Sequence, residues 1–140
     1  MPDPISKSPL LPLQKALYER LRASLSVPVY DFVPEPVRGN YVVLGEAVER
    51  PDNVHGAYGS DIQHTFHVVV DRAGFSAALA IVDEISQALD HQPESLAPEG
   101  HSIVSVRREL TQTFRDQDPR YRHALVRYRI VTAQNGGAAG

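Results

Sequence analysis

Residues 62–89, IQHTFHVVVDRAGFSAALAIVDEISQAL, change period halfway along, and that change limits the folds open to the chain. Ile62, His64, Phe66, Val68 and Val70 alternate, so a strand would set them on one face. Val69 falls on the other face and predicts a strand covered on both sides. Arg72-Ala73-Gly74 breaks the pattern, with a glycine that can reverse direction without a Cβ clash. From Phe75 the spacing is helical: Phe75, Leu79, Val82, Ile85 and Leu89 make an apolar stripe, while Asp83, Glu84 and Gln87 fall opposite. A buried strand, a tight turn and a helix laid back on the sheet make a scaffold, not an active site.

At 140 residues the chain is expected to be one domain, residues 1–140, with its own core. It has no cysteine, so disulfides and thiolate sites are excluded and a reducing compartment fits. No apolar run approaches the roughly 20 residues that cross a bilayer, and a basic-then-apolar leader is not seen. The expectation is a soluble protein made in the cytoplasm, with no membrane partner. Charge is uneven. Residues 1–100 carry 7 Lys/Arg against 14 Asp/Glu, and residues 101–140 carry 7 Arg against 3 Asp/Glu. An acidic body with a basic end can pair head to tail with copies of itself or bind an acidic partner; a plainly solvated strand face is the simpler account of any single arginine.

Residues 1–9 and 133–140 are expected to be flexible termini. Pro12 suits the first turn of a helix running to about Leu25, with Leu13, Leu17, Leu21 and Leu25 at i, i+4 spacing. Val29 to Phe32 reads as a short edge strand closed by Pro34 and Pro36, and Tyr41 to Val48 as a second strand. Glu49 to Asp61 is polar and broken by Pro51, Asn53, Gly56 and Gly59. It is long for a hairpin loop, and is read as a projecting arm making contacts through Asp52, Asn53, Val54, His55 and Tyr58, or else as an idle loop. Asp90 to Gly100 connects to a last hairpin, His101–Phe114 and Arg120–Thr132, turning at Asp116–Pro119. In its second strand Ala124, Val126, Tyr128 and Ile130 oppose His123, Leu125, Arg127, Arg129 and Val131.

Searching for chemistry yields little. His64 and His67 are three apart on a strand and point to opposite faces, and neither an HExxH helix nor paired cysteines exist. Asp116 and Asp118 lack the glycine and downstream glutamate of a calcium loop, and turn chemistry accounts for them. Ser60, Asp61 and His64 have the letters of a triad, but neighbours in sequence seldom supply its geometry. No catalytic, cofactor-binding or metal residue is assigned. Arg107, Arg108, Arg127 and Arg129 form a basic stripe suited to assembly contacts or non-specific brushing of phosphates, not sequence reading.

Taken together, LQKALYERL, VYDFVPEP, YVVLGEAVERPD, the Gly/Asp-rich loop into HTFHVVVDRAGFSAALAIVDEISQAL, and VSVRRELTQTFRDQDPRYRHALVRYRI resemble a known family. It is that of the small tail-completion, or tail-terminator, proteins of long-tailed bacteriophages and related prophage-derived particles. Members often place an aromatic, commonly tryptophan, near the end of the central strand, where this chain has Val69-Val70-Asp71. The resemblance implies an α+β fold: an antiparallel sheet with an N-terminal helix and a second amphipathic helix packed against it. It also implies a non-enzymatic virion protein without cofactor that forms a ring, usually a hexamer, at the head-proximal end of the tail. Its partners would be copies of itself, the tail tube protein, and a head connector or adaptor. DNA would pass through without sequence-specific binding, and assembly would take place in the host cytoplasm. The alternatives are a head-side adaptor or tube subunit, and a small ligand-binding α+β domain.

Overall fold

The computed structural model describes residues 5–33, 39–54, 57–71 and 74–136. Helix α1 (Leu10–Ser24) leads to β1 (Val29–Tyr30), β2 (Tyr41–Pro51) and β3 (Gly59–Val70). Helix α2 (Ser76–Leu89) follows, then a short 3-10 turn, Pro93–Ser95, and the hairpin β4 (His101–Arg115) and β5 (Arg122–Gln134). The sheet order is β1-β2-β3-β5-β4. It is antiparallel except at β1, which runs parallel to β2, so the sheet is mixed rather than wholly antiparallel. The α+β architecture holds, with both helices on one face.

The central position of β3 explains its sequence. It pairs along its whole length with β5 and over most of it with β2, so its backbone groups are satisfied on both edges. Ile62, His64, Phe66, Val68 and Val70 are buried beneath the helices, as their alternation requires. Val69 is buried as well, but among the described residues no second layer covers it. Tyr41 and His123, its neighbours in register on β2 and β5, flank it within the sheet. The expectation of cover on both sides is therefore corrected: lateral packing on the open face does that work.

α1 buries Leu13, Leu17 and Leu21 over β1 and β2, and Leu25 packs partly at its end. α2 lies over β3, β5 and β4. Its buried stripe is Ala78, Ile81, Val82, Ile85, Ala88 and Leu89, rotated from the expected one. Leu79 is 47% exposed and faces the β4 side. The helices are tied to each other by side chains. Ser26 donates from its backbone N–H and hydroxyl to Glu84 at 2.8 and 2.9 Å, and Arg20 Nε donates to the Ala88 carbonyl at 3.1 Å. The bond from Arg20 satisfies a carbonyl at the end of α2, where a cation is favoured.

The strand boundaries also move. β2 reaches Pro51 and β3 starts at Gly59, which shortens the expected Glu49–Asp61 loop to residues 52–58. Proline is tolerated there because β2 is the outer strand at that point. β5 continues to Gln134, past the start of the expected flexible tail. Gln134 in turn holds the N-terminal segment, accepting from the Lys7 N–H at 2.9 Å and donating to the Ile5 carbonyl at 2.7 Å. Residues 1–4 and 137–140, Pro34 and Pro36, and the turn residues Arg72 and Ala73 lie outside the described residues.

Candidate assembly surfaces

The expected contact residues fall into two groups. Asp52, Asn53, Val54 and Tyr58 form the tip of the β2–β3 hairpin; His55 lies outside the described residues. The tip is built rather than slack. The Asp52 N–H donates to the Gly59 carbonyl at 2.8 Å, Val54 and Ala57 exchange backbone bonds, and the Gly59 N–H donates to Asn53 Oδ1 at 3.2 Å. A Cβ on Gly59 would sit 2.7 Å from the Asp52 carbonyl oxygen and 2.9 Å from that of Thr132, so glycine permits this close backbone approach. Tyr58 accepts from the Gln134 N–H at 2.8 Å, joining the tip to the end of β5.

Arg107, Arg127 and Arg129 share the open face of the sheet, with Arg107 directly opposite Arg129. They do not make a free basic stripe. Arg129 is bidentate on Asp61, with contacts of 2.6, 2.9 and 3.1 Å, and Arg127 meets Glu109 at 3.3 Å. The hydrogen bond from Arg129 holds the Asp61 carboxyl below its ordinary range, and the same contact raises the guanidinium's pKa. Asp61 also offsets the like-charge opposition of Arg107 and Arg129, which would otherwise be unfavourable. Arg107 forms no ion pair with a described residue. These pairings link strands 18 and 68 residues apart, a relation that local sequence patterns do not carry.

Other chemical suspects separate or find structural partners. Strand alternation puts Ser60 and His64 under the helices and Asp61 on the open face, which splits the apparent triad. His67 faces away from His64 and meets Glu46 at 3.1 Å. Asp116 and Asp118 accept backbone N–H groups two residues on, as turn residues do. Among the described residues no cluster of three His, Cys, Asp or Glu could hold a metal.

A shallow cavity of about 240 Å³ lies beside the hairpin tip, under residues 6–9, and sequence reading missed it. Its wall includes Glu49, Ser60, His101 and Thr132. Ser60 donates to Glu49 at 2.6 Å and Ser8 at 3.3 Å, so a strand glutamate anchors the N-terminal segment. Burial holds the His101 ring below its ordinary pKa, and the Thr132 hydroxyl is buried without a partner among the described residues. Long-range pairing assembles this set, and only the alternation of β5 hinted at the inward side of Thr132.

The profile of a family described as "tail completion protein gp17" matches residues 15–133. Among solved structures, a chain of the virion of a native gene transfer agent particle is similar, at 25% identity and a TM-score of 0.80. The match covers 91% of this chain and 99% of that one. No curated protein matches the sequence.

Proposed function

The chain belongs to the tail completion protein gp17 family, and from that premise we infer that it caps the tail tube as a ring and joins it to the head connector. It is a structural protein of a phage-type virion tail. The observation that carries the finer reading is that the family match, over residues 15–133, and the fold match, over 91% of the chain, each take in most of its length. The matched domain then serves as a building block of a particle.

The role is structural, with no substrate turned over and no cofactor held. A ring of more than two copies needs two different, complementary surfaces on each subunit. The unlike edges of this sheet, β1–β2 and β4, are suited to that demand. The hairpin tip, with Asp52, Asn53, Val54, His55 and Tyr58, is the contact offered to the tube or the connector. Arg127 and Arg129 are already neutralised by Glu109 and Asp61, so they attract passing DNA phosphates only weakly. This suits a duplex that passes without being held by its phosphates. The ring sits at the head-proximal end of the tail and is assembled in the host cytoplasm.

Mass in solution tests the ring, alone and with tube protein present. The expected species is a closed oligomer, six times the 15.5 kDa subunit. A monomer under both conditions overturns the reading. Label on the protein at the tail's head-proximal end supports the terminator role; label along the tube or on the head side assigns a different part of the particle. Replacing residues 53–57 by a two-residue turn is expected to leave cooperative unfolding intact while tail capping fails. Normal capping by that variant would show the tip to be idle.

A further inference from the structure

The two edges of the sheet are open over stretches of equal length. On the β4 side, the connector after α2 closes only a short segment. The His91 N–H donates to the Val106 carbonyl at 2.9 Å, and the Arg108 N–H donates to Asp90 Oδ1 at 3.0 Å. A bulge follows between Arg108 and Leu110. From Leu110 to Arg115, β4 pairs only with β5 among the described residues, and each of these side chains is exposed. Alternate N–H and C=O groups there face outwards, a template for another strand. LTQTFR contains no proline, lysine or further bulge to blunt it. At the opposite edge β1 covers β2 only at Val42 and Val43; Glu46–Pro51, which starts in a bulge between Leu44 and Ala47 and ends on a proline, has no outer partner among the described residues, so Ala47–Arg50 offer the regular ladder groups.

Exposed apolar side chains gather at the same places. Phe32 and Val48 lie beside the β1–β2 edge; Leu79, Leu110 and Phe114 lie on or beside β4. A groove of about 370 Å³ runs between α2 and β4, lined by Leu79, Val82, Arg108 and Leu110 among others.

We propose that these edges pair between copies: Leu110–Arg115 of one subunit adds to Glu46–Pro51 of the next, continuing the sheet around the ring. The proposal rests on the ring reading above. Strand direction favours it. β4 runs opposite to β1 and β2 within one sheet, so copies set side by side in the same sense meet in antiparallel register. Charge selects the same partner. Arg107, Arg108 and Arg115 outnumber Glu109 along β4, whereas Glu46 and Glu49 outnumber Arg50 on β2. Antiparallel self-pairing of Leu110–Arg115 would set the segment's one charge, Arg115, opposite Leu110 and leave the glutamates of β2 unused. The contact is therefore heterologous, and it propagates until the rotation closes.

The chain's lack of cysteine allows a direct test. Faces must match across the new ladder, so the pairs are Val48→Cys with Gln112→Cys on the open face, and Ala47→Cys with Thr111→Cys or Thr113→Cys on the helical face. All five positions are exposed, and the reduced variants should unfold at the wild-type temperature. On oxidation at least one double variant is expected to give a covalent ladder ending at the ring's subunit number, while each single variant stays monomeric on a denaturing gel. If the wild type is a ring by mass and no double variant cross-links, the edge contact is wrong and the ring stands. If Gln112→Cys alone gives dimers and the doubles give no ladder, β4 pairs with itself. A wild type that stays monomeric with tube protein present overturns both.

Discussion

Replacing Phe66 by alanine is expected to cost roughly 3–5 kcal/mol of stability, the range found when a buried phenyl ring is deleted. Phe66 is fully buried at the middle of β3. Its ring stacks on His64 at 5.2 Å between centroids and meets the edge of Tyr128 at 5.9 Å, so its loss removes contacts on two strands. The vacated volume lies between helices and sheet, where α2 is held by a rigid stripe that cannot close over it without moving. Urea denaturation followed by circular dichroism measures the loss. Leu79→Ala is the companion, expected to change stability by about 0.5 kcal/mol or less because that side chain is half exposed. Equal losses from the two substitutions would mean that the buried stripe of α2 is the sequence-based one through Leu79, not the one seen here.

That contrast shows where the sequence was legible. β3 could be read because a period of two with one buried face leaves no freedom: slipping by one residue would turn the whole apolar set outwards. α2 reads as a helix, and Val82, Ile85 and Leu89 of its expected stripe are buried, but the buried face is turned from Leu79 towards Ala78, Ile81 and Ala88. Leu79 is larger than Ala78 and drew the stripe towards itself, yet the fully buried position takes the small residue. Whether a helix needs bulk or closeness at a given point depends on what lies beneath it. The loop at 49–61 was overdrawn because Pro51 and Gly59 read as breakers. Both are accommodated in strands, one by lying on an outer strand and the other by a backbone approach under 3 Å from where its Cβ would be. The assembly surface was least legible. Strand order decides which strand is an edge, and the partners of Arg127 and Arg129 come from other parts of the chain.

Acid is expected to weaken the fold through His64 well before the carboxylates titrate. The ring is 2% exposed, its Nδ1 has no partner among the described residues, and burial pushes its pKa down from 6.5 to about 4. In the unfolded chain it takes up a proton near 6.5. Between those values the unfolded state holds more protons than the folded one, so stability rises with pH across the window. The contribution is complete above about pH 6.5 and is lost as the pH falls towards 4, amounting to about 3 kcal/mol at most. His101, also lowered by burial, adds in the same direction. Asp61 and Glu46, whose folded pKa values are lowered, keep their contribution above the ordinary carboxylate pKa and lose it only as the pH falls below that, at the acid end of this range and beyond. His64→Phe keeps a ring against Phe66 and removes both the titration and the unpartnered nitrogen. Urea midpoints measured from pH 7.5 to 4.5 should fall steeply for the wild type and remain much flatter for the variant, with the variant at least as stable at pH 7.5. Parallel slopes for the two proteins would place the acid sensitivity elsewhere and would leave His64 as a packing residue alone.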